Sequence, residues 1–137
     1  MLELLQKIYT LLSSDSTLIG MVPVANILTG PVDITMEKQS DLIYPQINIR
    51  IVSEVQRSNP LNARDTQVQL DIWSRDSQLA TEQIYERVID LLSYQTTDQN
   101  TAHVFWTRLN GAVDLYESDR RIWHKAVTFS AWTIKPN

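Results

Sequence analysis

The stretch that most constrains this chain is Arg64 to Tyr94, RDTQVQLDIWSRDSQLATEQIYERVIDLLSY, where one hydrophobic period gives way to another. From Thr66 to Trp73 the alternation is strict. Thr66, Val68, Leu70 and Ile72 fall on one side and Gln67, Gln69, Asp71 and Trp73 on the other, which is the period of a strand with one buried face. Leu79, Ala80, Ile84, Val88, Leu91 and Leu92 then recur at three- and four-residue steps, the signature of an amphipathic helix. Between them, Ser74, Asp76 and Ser77 are three short polar side chains able to cap the helix, and the spacing leaves the choice open. A strand turning directly into a long helix makes one packing unit, against which the remaining segments must be laid. Leu70, Ile72, Ile84, Val88 and Leu91 are expected to form its core.

Other segments supply the partners. Leu2, Leu4, Leu5, Ile8, Leu11 and Leu12 mark an N-terminal amphipathic helix, followed by a short turn through Thr17 to Ile19 that Ser14 or Asp15 caps and Gly20 ends. From Met21 to Asp41 the signal is weak, and only Val22-Pro23-Val24 and Asn26-Ile27-Leu28 look extended. Pro45 opens a strand with Ile47, Ile49 and Ile51 on one face and Gln46, Asn48 and Arg50 on the other. It is expected to pair antiparallel with Thr66–Trp73 through a polar, mobile loop from Gln56 to Asp65. Gln95 to Thr101 is a polar connection. His103–Leu109 and Ala112–Tyr116 read as extended pieces with a bulge or kink at Asn110-Gly111. A last strand from about Arg121 to Ile134 carries apolar residues on both faces, which fits a central strand or one covered by another chain. The expectation is a single domain spanning residues 1–137. Its fold class is α+β: a mainly antiparallel sheet with an N-terminal helix and one long central helix packed on one face.

Composition narrows the function. The chain has 137 residues, 43% of them hydrophobic and 20% charged, ordinary proportions for a folded domain. No apolar run reaches the ~20 residues that cross a bilayer, and the first residues lack the basic start and cleavage site of a signal peptide, so no membrane role is expected. There is no cysteine, hence no disulfide, thiol catalysis or thiolate-bound metal. A net charge of −4 with scattered Lys and Arg argues against a surface dedicated to gripping nucleic acid.

No motif assembles into an active site. His103 and His124 lie in expected strands, with no carboxylate or second histidine at a metal-ligand spacing. Glu82 and Glu86, with Arg87, share the polar helix face and read as solvated. Three glycines form no phosphate cradle, and no serine sits in a nucleophile elbow. The oddity is the sheet face of Gln46, Asn48, Arg50, Gln67, Gln69, Asp71 and Trp73, too polar for a core yet carrying a large aromatic. It is either a solvated face with one exposed tryptophan or a protein contact, where Trp and Arg are over-represented.

Taken together, LLSSDSTLIGMV, YPQINI, QVQLDIWSRDSQLATEQIYERVIDLL and RRIWHKAVTFSAW, in this order, resemble the tail-completion or tail-terminator proteins of long-tailed bacteriophages. The strand ending in Asp71-Ile72-Trp73-Ser74-Arg75 before a helix is the most specific piece. The resemblance implies a non-enzymatic structural protein of the virion, without cofactor or metal. It implies a ring, usually of six copies, at the head-proximal end of the tail tube, ending tube polymerisation and joining the tail to the head connector. Its partners would be further copies of itself, the tail tube protein and the head connector protein, with DNA passing through the ring without specific binding. Arg57, Leu61 and Arg64 on the loop, with Arg50 and Trp73 on the polar face, are the candidate partner-binding residues. The alternatives are a head–tail connector (neck) subunit and a small-ligand-binding α+β domain.

Overall fold

The computed structural model of the chain describes residues 2–29, 44–56, 63–93, 104–118 and 121–134. Helix α1 (Leu2–Ser13) is followed by a short helix α2 (Ser16–Ile19), a single 3-10 turn (Val24–Asn26) and a three-residue strand β1 (Ile27–Thr29). Strands β2 (Gln46–Gln56) and β3 (Ala63–Ser74) precede the long helix α3 (Gln78–Leu92), and β4 (Val104–Glu117) and β5 (Ile122–Ile134) complete the order. This is the expected α+β class, with a five-stranded sheet ordered β1-β2-β3-β5-β4. Among the described residues only β1–β2 is parallel; the other three pairings are antiparallel.

The strand-to-helix unit forms as its periodicity requires. Of the three candidate caps, Ser77 is used: its extended backbone leaves Oγ to accept the amide of Ala80 at 3.1 Å. Asp76 instead donates its amide to Ser74 Oγ. Asp15 caps α2 by accepting the Leu18 amide at 2.8 Å. Gly20 does end α2, but at φ −63°, so the position makes no use of glycine's left-handed freedom.

Leu4, Ile8 and Leu12 of α1 and Ile84, Val88 and Leu92 of α3 pack on Ile47, Ile49, Val68, Leu70, Ile72, Val127 and Phe129 of the sheet, all essentially buried. This places both helices on one face. Four of the five expected core residues are fully buried, while Leu91 packs at the edge and Leu92 takes the centre. Leu79, expected on the buried stripe, is 67% exposed, because five residues at 3.6 per turn set it roughly 140° round the helix from Ile84, away from the buried row of Thr81, Ile84, Val88 and Leu92.

Three boundaries differ from expectation. Val22–Val24 forms no strand: the segment enters the 3-10 turn instead, and of the second extended piece Ile27 and Leu28 join the sheet while Asn26 ends the turn. The segment read as a loop from Gln56 to Asp65 is shorter, since Gln56 pairs with Arg64 and Val55 with Asp65 in the β2–β3 ladder. A cross-strand pair from Arg64 Nη1 to Glu54 Oε1 at 2.9 Å accompanies that extension. Residues 57–62 and the connection at 95–101 lie outside the described residues, as does His103. The bulge expected at Asn110-Gly111 is present, the β4–β5 register shifting between Leu109 and Gly111. A second one falls between Ile51 and Ser53.

Candidate functional site

With the helices on one face of the sheet, the other carries the polar residues singled out from sequence. Their fates differ along the strands. Towards the start of β2, Gln46 and Asn48 lie opposite Trp73 and Asp71 of β3, and His124 of β5 is the register partner of Trp73 on the other side. All are shielded: Gln46, Asn48, Asp71 and Trp73 are buried, and the His124 side chain is 12% exposed. Trp73 is thus no exposed anchor. Its ring stacks on His124 with centroids 3.6 Å apart and planes 11° from parallel. The pairing brings together strand residues fifty-one positions apart, so no local spacing announces it.

Asp71 is the centre of this corner. His124 Nε2 lies 2.7 Å from Asp71 Oδ1, Gln69 Nε2 donates to the same oxygen at 2.9 Å, and Arg50 Nε stands 3.5 Å from Oδ2. Burial pushes the Asp71 carboxyl up, but the hydrogen bonds from His124 and Gln69 and the pull of His124 and Arg50 outweigh it and hold it below the usual carboxylate range. The sequence showed no carboxylate at a ligand spacing from His124. The sheet supplies one from the neighbouring strand. Beyond this corner Gln67 donates to Ser130 Oγ, and Asn110, the extra residue of the β4 bulge, donates to Gln67 Oε1 and Ser130 Oγ. Three strands are thereby tied by side chains across the polar face.

A second charged knot, which sequence reasoning missed, sits on the helix face. Lys125 is buried on β5, yet its Nζ reaches Glu82 of α3 at 2.5 Å and Asp114 of β4 at 3.1 Å, and lies 4.3 Å from the Tyr85 ring centroid. Burial lowers its affinity for a proton, but the two carboxylates more than compensate and raise its pKa. A third tie closes the helical layer: Arg87 of α3 grips Asp15 through two bonds of 2.9 and 2.6 Å. These bonds and the capped Leu18 amide hold the Asp15 carboxyl at about 2.

Of the partner-binding candidates, Arg50 and Trp73 share this corner through Asp71 and His124. Arg64 stands apart at the far end of the β2–β3 hairpin, and Arg57 and Leu61 fall outside the described residues. Among the described residues no group of three or more His, Cys, Asp or Glu gathers as a metal site would, and no helix is long and apolar enough to cross a membrane. What the arrangement offers is surface. Large apolar side chains stand exposed at Val52 and Val55 on β2, Val113, Leu115 and Tyr116 on β4, and Trp132 on β5.

This α+β architecture recurs in a solved particle. A chain of the solved "Virion of native gene transfer agent (GTA) particle" has the same fold, with a TM-score of 0.68 at 9% sequence identity over 93% of this chain and 91% of that one. No curated protein sequence matches. The family model for "Tail completion protein gp17" matches residues 6–134, and the chain belongs to that family. It is a structural protein of the bacteriophage virion, located in the tail.

Proposed function

We propose that the protein closes the head-proximal end of the tail tube as a ring of six copies. In this role it ends tube polymerisation and joins the tail to the head connector, with DNA passing through the opening unread. The observation that carries this reading is the family match over nearly the whole chain. The sheet supports assembly of copies: β4 is a 14-residue edge strand carrying exposed Val113 and Leu115, an edge of the kind that isolated proteins blunt. The partners are neighbouring copies, the tail tube protein and the connector protein. Arg57, Leu61 and Arg64, at and beyond the end of the β2–β3 hairpin, are assigned to the tube or connector contact. Arg50, 49% exposed at its side chain, is assigned to a contact on the polar face, with Trp73 acting behind it by holding His124.

The test is a phage genome from which this gene has been removed, with the protein supplied in trans as control. Expected are full heads separated from tails of irregular length, and joined particles of uniform tail length on complementation. Particles with uniform, joined tails in the absence of the protein would overturn the proposal. A reconstruction of the complemented particle then counts the copies, and isolated non-contacting subunits would remove the ring.

A further inference from the structure

We infer that neighbouring copies in the ring pack layer on layer, the open sheet face of one subunit receiving the outer ridge of α3 of the next; the inference rests on the ring reading. A cyclic ring needs two different surfaces on each subunit, one for each neighbour. This domain has two, because α1 and α3 cover one side of the sheet and, among the described residues, no helix covers the other. On that open face two rows of register partners carry the cations. Arg50 lies level with Gln69 and Thr128, and Arg108 level with Ser130 and Gln67. Arg50 meets Asp71 only through Nε, at 3.5 Å, so its terminal nitrogens stay open. Arg108 is exposed and makes no hydrogen bond or ion pair among the described residues. Val113 (59% exposed) and Leu115 (47%) stand on the same face, further along β4.

The ridge of α3 complements this face. Leu79, Gln83, Glu86 and Asp90 are all exposed and share the side of the helix opposite the buried Thr81, Ile84, Val88 and Leu92. Glu86 and Asp90 are like charges one turn apart, an arrangement that repels, and neither forms an ion pair among the described residues. The levels agree as well as the signs. Glu82, near the start of α3, shares Lys125 with Asp114 of β4, and Leu92, at its end, accepts the Thr107 hydroxyl through its carbonyl. The helix therefore runs antiparallel to β4, with Leu79 near the level of Leu115 and Asp90 near that of Arg108. A like-oriented copy laid on the open face brings Leu79 onto Val113 and Leu115 and carries Glu86 and Asp90 to the rows of Arg50 and Arg108. Turning that copy about an axis along the strands leaves these levels unchanged, so the match holds round a closed ring. Because both surfaces are on this chain and their open charges are opposite, the occupant of the sheet face is a second copy.

The chain has no cysteine, so installed thiols report without interference. Leu79→Cys and Leu115→Cys, both at exposed positions, are introduced singly and together into the full chain and carried into particles. The particles are then treated with a short bis-maleimide linker. Within one subunit the two positions lie on opposite sides of a helix-on-sheet double layer, roughly 15 Å or more apart, so a short link between them joins different copies. Expected is a ladder of covalent oligomers from the double variant and monomer from either single one. Dimer from Leu115→Cys alone would overturn the inference, because it sets open face against open face. Linkage of the double variant to a different virion protein would overturn it as well. A reconstruction of the unsubstituted particle reads the joint directly. The ridge of α3 of one copy against Arg108 of the next upholds it; any other contact between copies refutes it and leaves the ring standing; copies without contact remove both.

Discussion

Two apolar residues on α3, five positions apart, separate the structural account from the pattern that led to it. Ile84 and Leu79 both belong to the helical stripe legible in sequence, yet Ile84 is 2% exposed and Leu79 67%. Ile84→Ala removes a buried branched side chain against a sheet whose strands cannot close on the space left. Such substitutions cost about 2–5 kcal/mol, and the helix propensity gained with alanine returns only ~0.4 kcal/mol of it. A net loss of about 3 kcal/mol is expected, a large share of the ~5–15 kcal/mol that holds a domain together. For a chain of this size that is a fall in Tm of roughly 12 °C. Leu79→Ala makes no cavity and should stay within about 0.5 kcal/mol of the parent. The assay is urea unfolding of both variants followed by circular dichroism, the slope serving as a check that the unfolded states are alike. Equal losses for the two, or an Ile84→Ala within 1 kcal/mol of the parent, would show that α3 does not sit on the sheet by this face.

Three further outcomes follow from the charged ties. Asp15 has a carboxyl held at about 2, below its ordinary 3.8, so its contribution is complete above pH 3.8 and fades as pH falls towards 2; a Tm–pH profile of Asp15→Asn should approach that of the parent in that window and lie below it near neutrality. Lys125→Met should be close to neutral, within ~1 kcal/mol, since Glu82 and Asp114 remain partly exposed and can return to water, whereas Lys125→Glu should prevent stable folding; soluble yield and thermal melting distinguish the two. Asp71→Asn should destabilise by about 1–3 kcal/mol through loss of the charged acceptor of His124, and should alter tryptophan fluorescence because His124 stacks on Trp73; unchanged melting and emission would mean that this corner is dispensable.

What was legible in the sequence was whatever the alternation of a single segment determines. Ile47, Ile49 and Ile51 fixed a strand face, Leu70 and Ile72 a second, and Ile84 and Val88 the helix that covers them. Neighbour choice is a different kind of quantity. The apolar residues on both faces of Ile122–Ile134 fit a central strand, but nothing local in them names β3 and β4 as its neighbours, because that depends on which edges are free when the pieces meet in space. The burial of Trp73 and the partner of Asp71 were invisible for the same reason: both come from His124, on the strand that slotted in. Lys125 was missed because its two carboxylates lie on other elements, eleven and forty-three residues away. The reach of the β2–β3 ladder exceeded expectation because polar residues such as Arg64 and Glu54 continue a hairpin by pairing across it, without the apolar alternation by which strands are recognised.

The bulge at Asn110 has an effect on everything that follows it in β4. Before it, Thr107 and Leu109 are aligned with Ala131 and Phe129 on the helix side; after it, Ala112, Asp114 and Tyr116 are aligned with Val127, Lys125 and Trp123. Odd-numbered residues face the helices up to the bulge and even-numbered ones beyond it. One supernumerary residue therefore acts as a parity switch. It turns Asp114 inward to Lys125 and sends Val113 and Leu115 outward. Were the bulge lost with Asn110 paired to Thr128, every downstream side chain would stay chemically intact but change its address, seating two aliphatics where Lys125 needs a carboxylate and putting an acid on the opposite surface. The outward setting of Val113 and Leu115 thus depends on Asn110 staying outside the ladder, and a single-codon deletion of Asn110, which joins Leu109 directly to Gly111, preserves it.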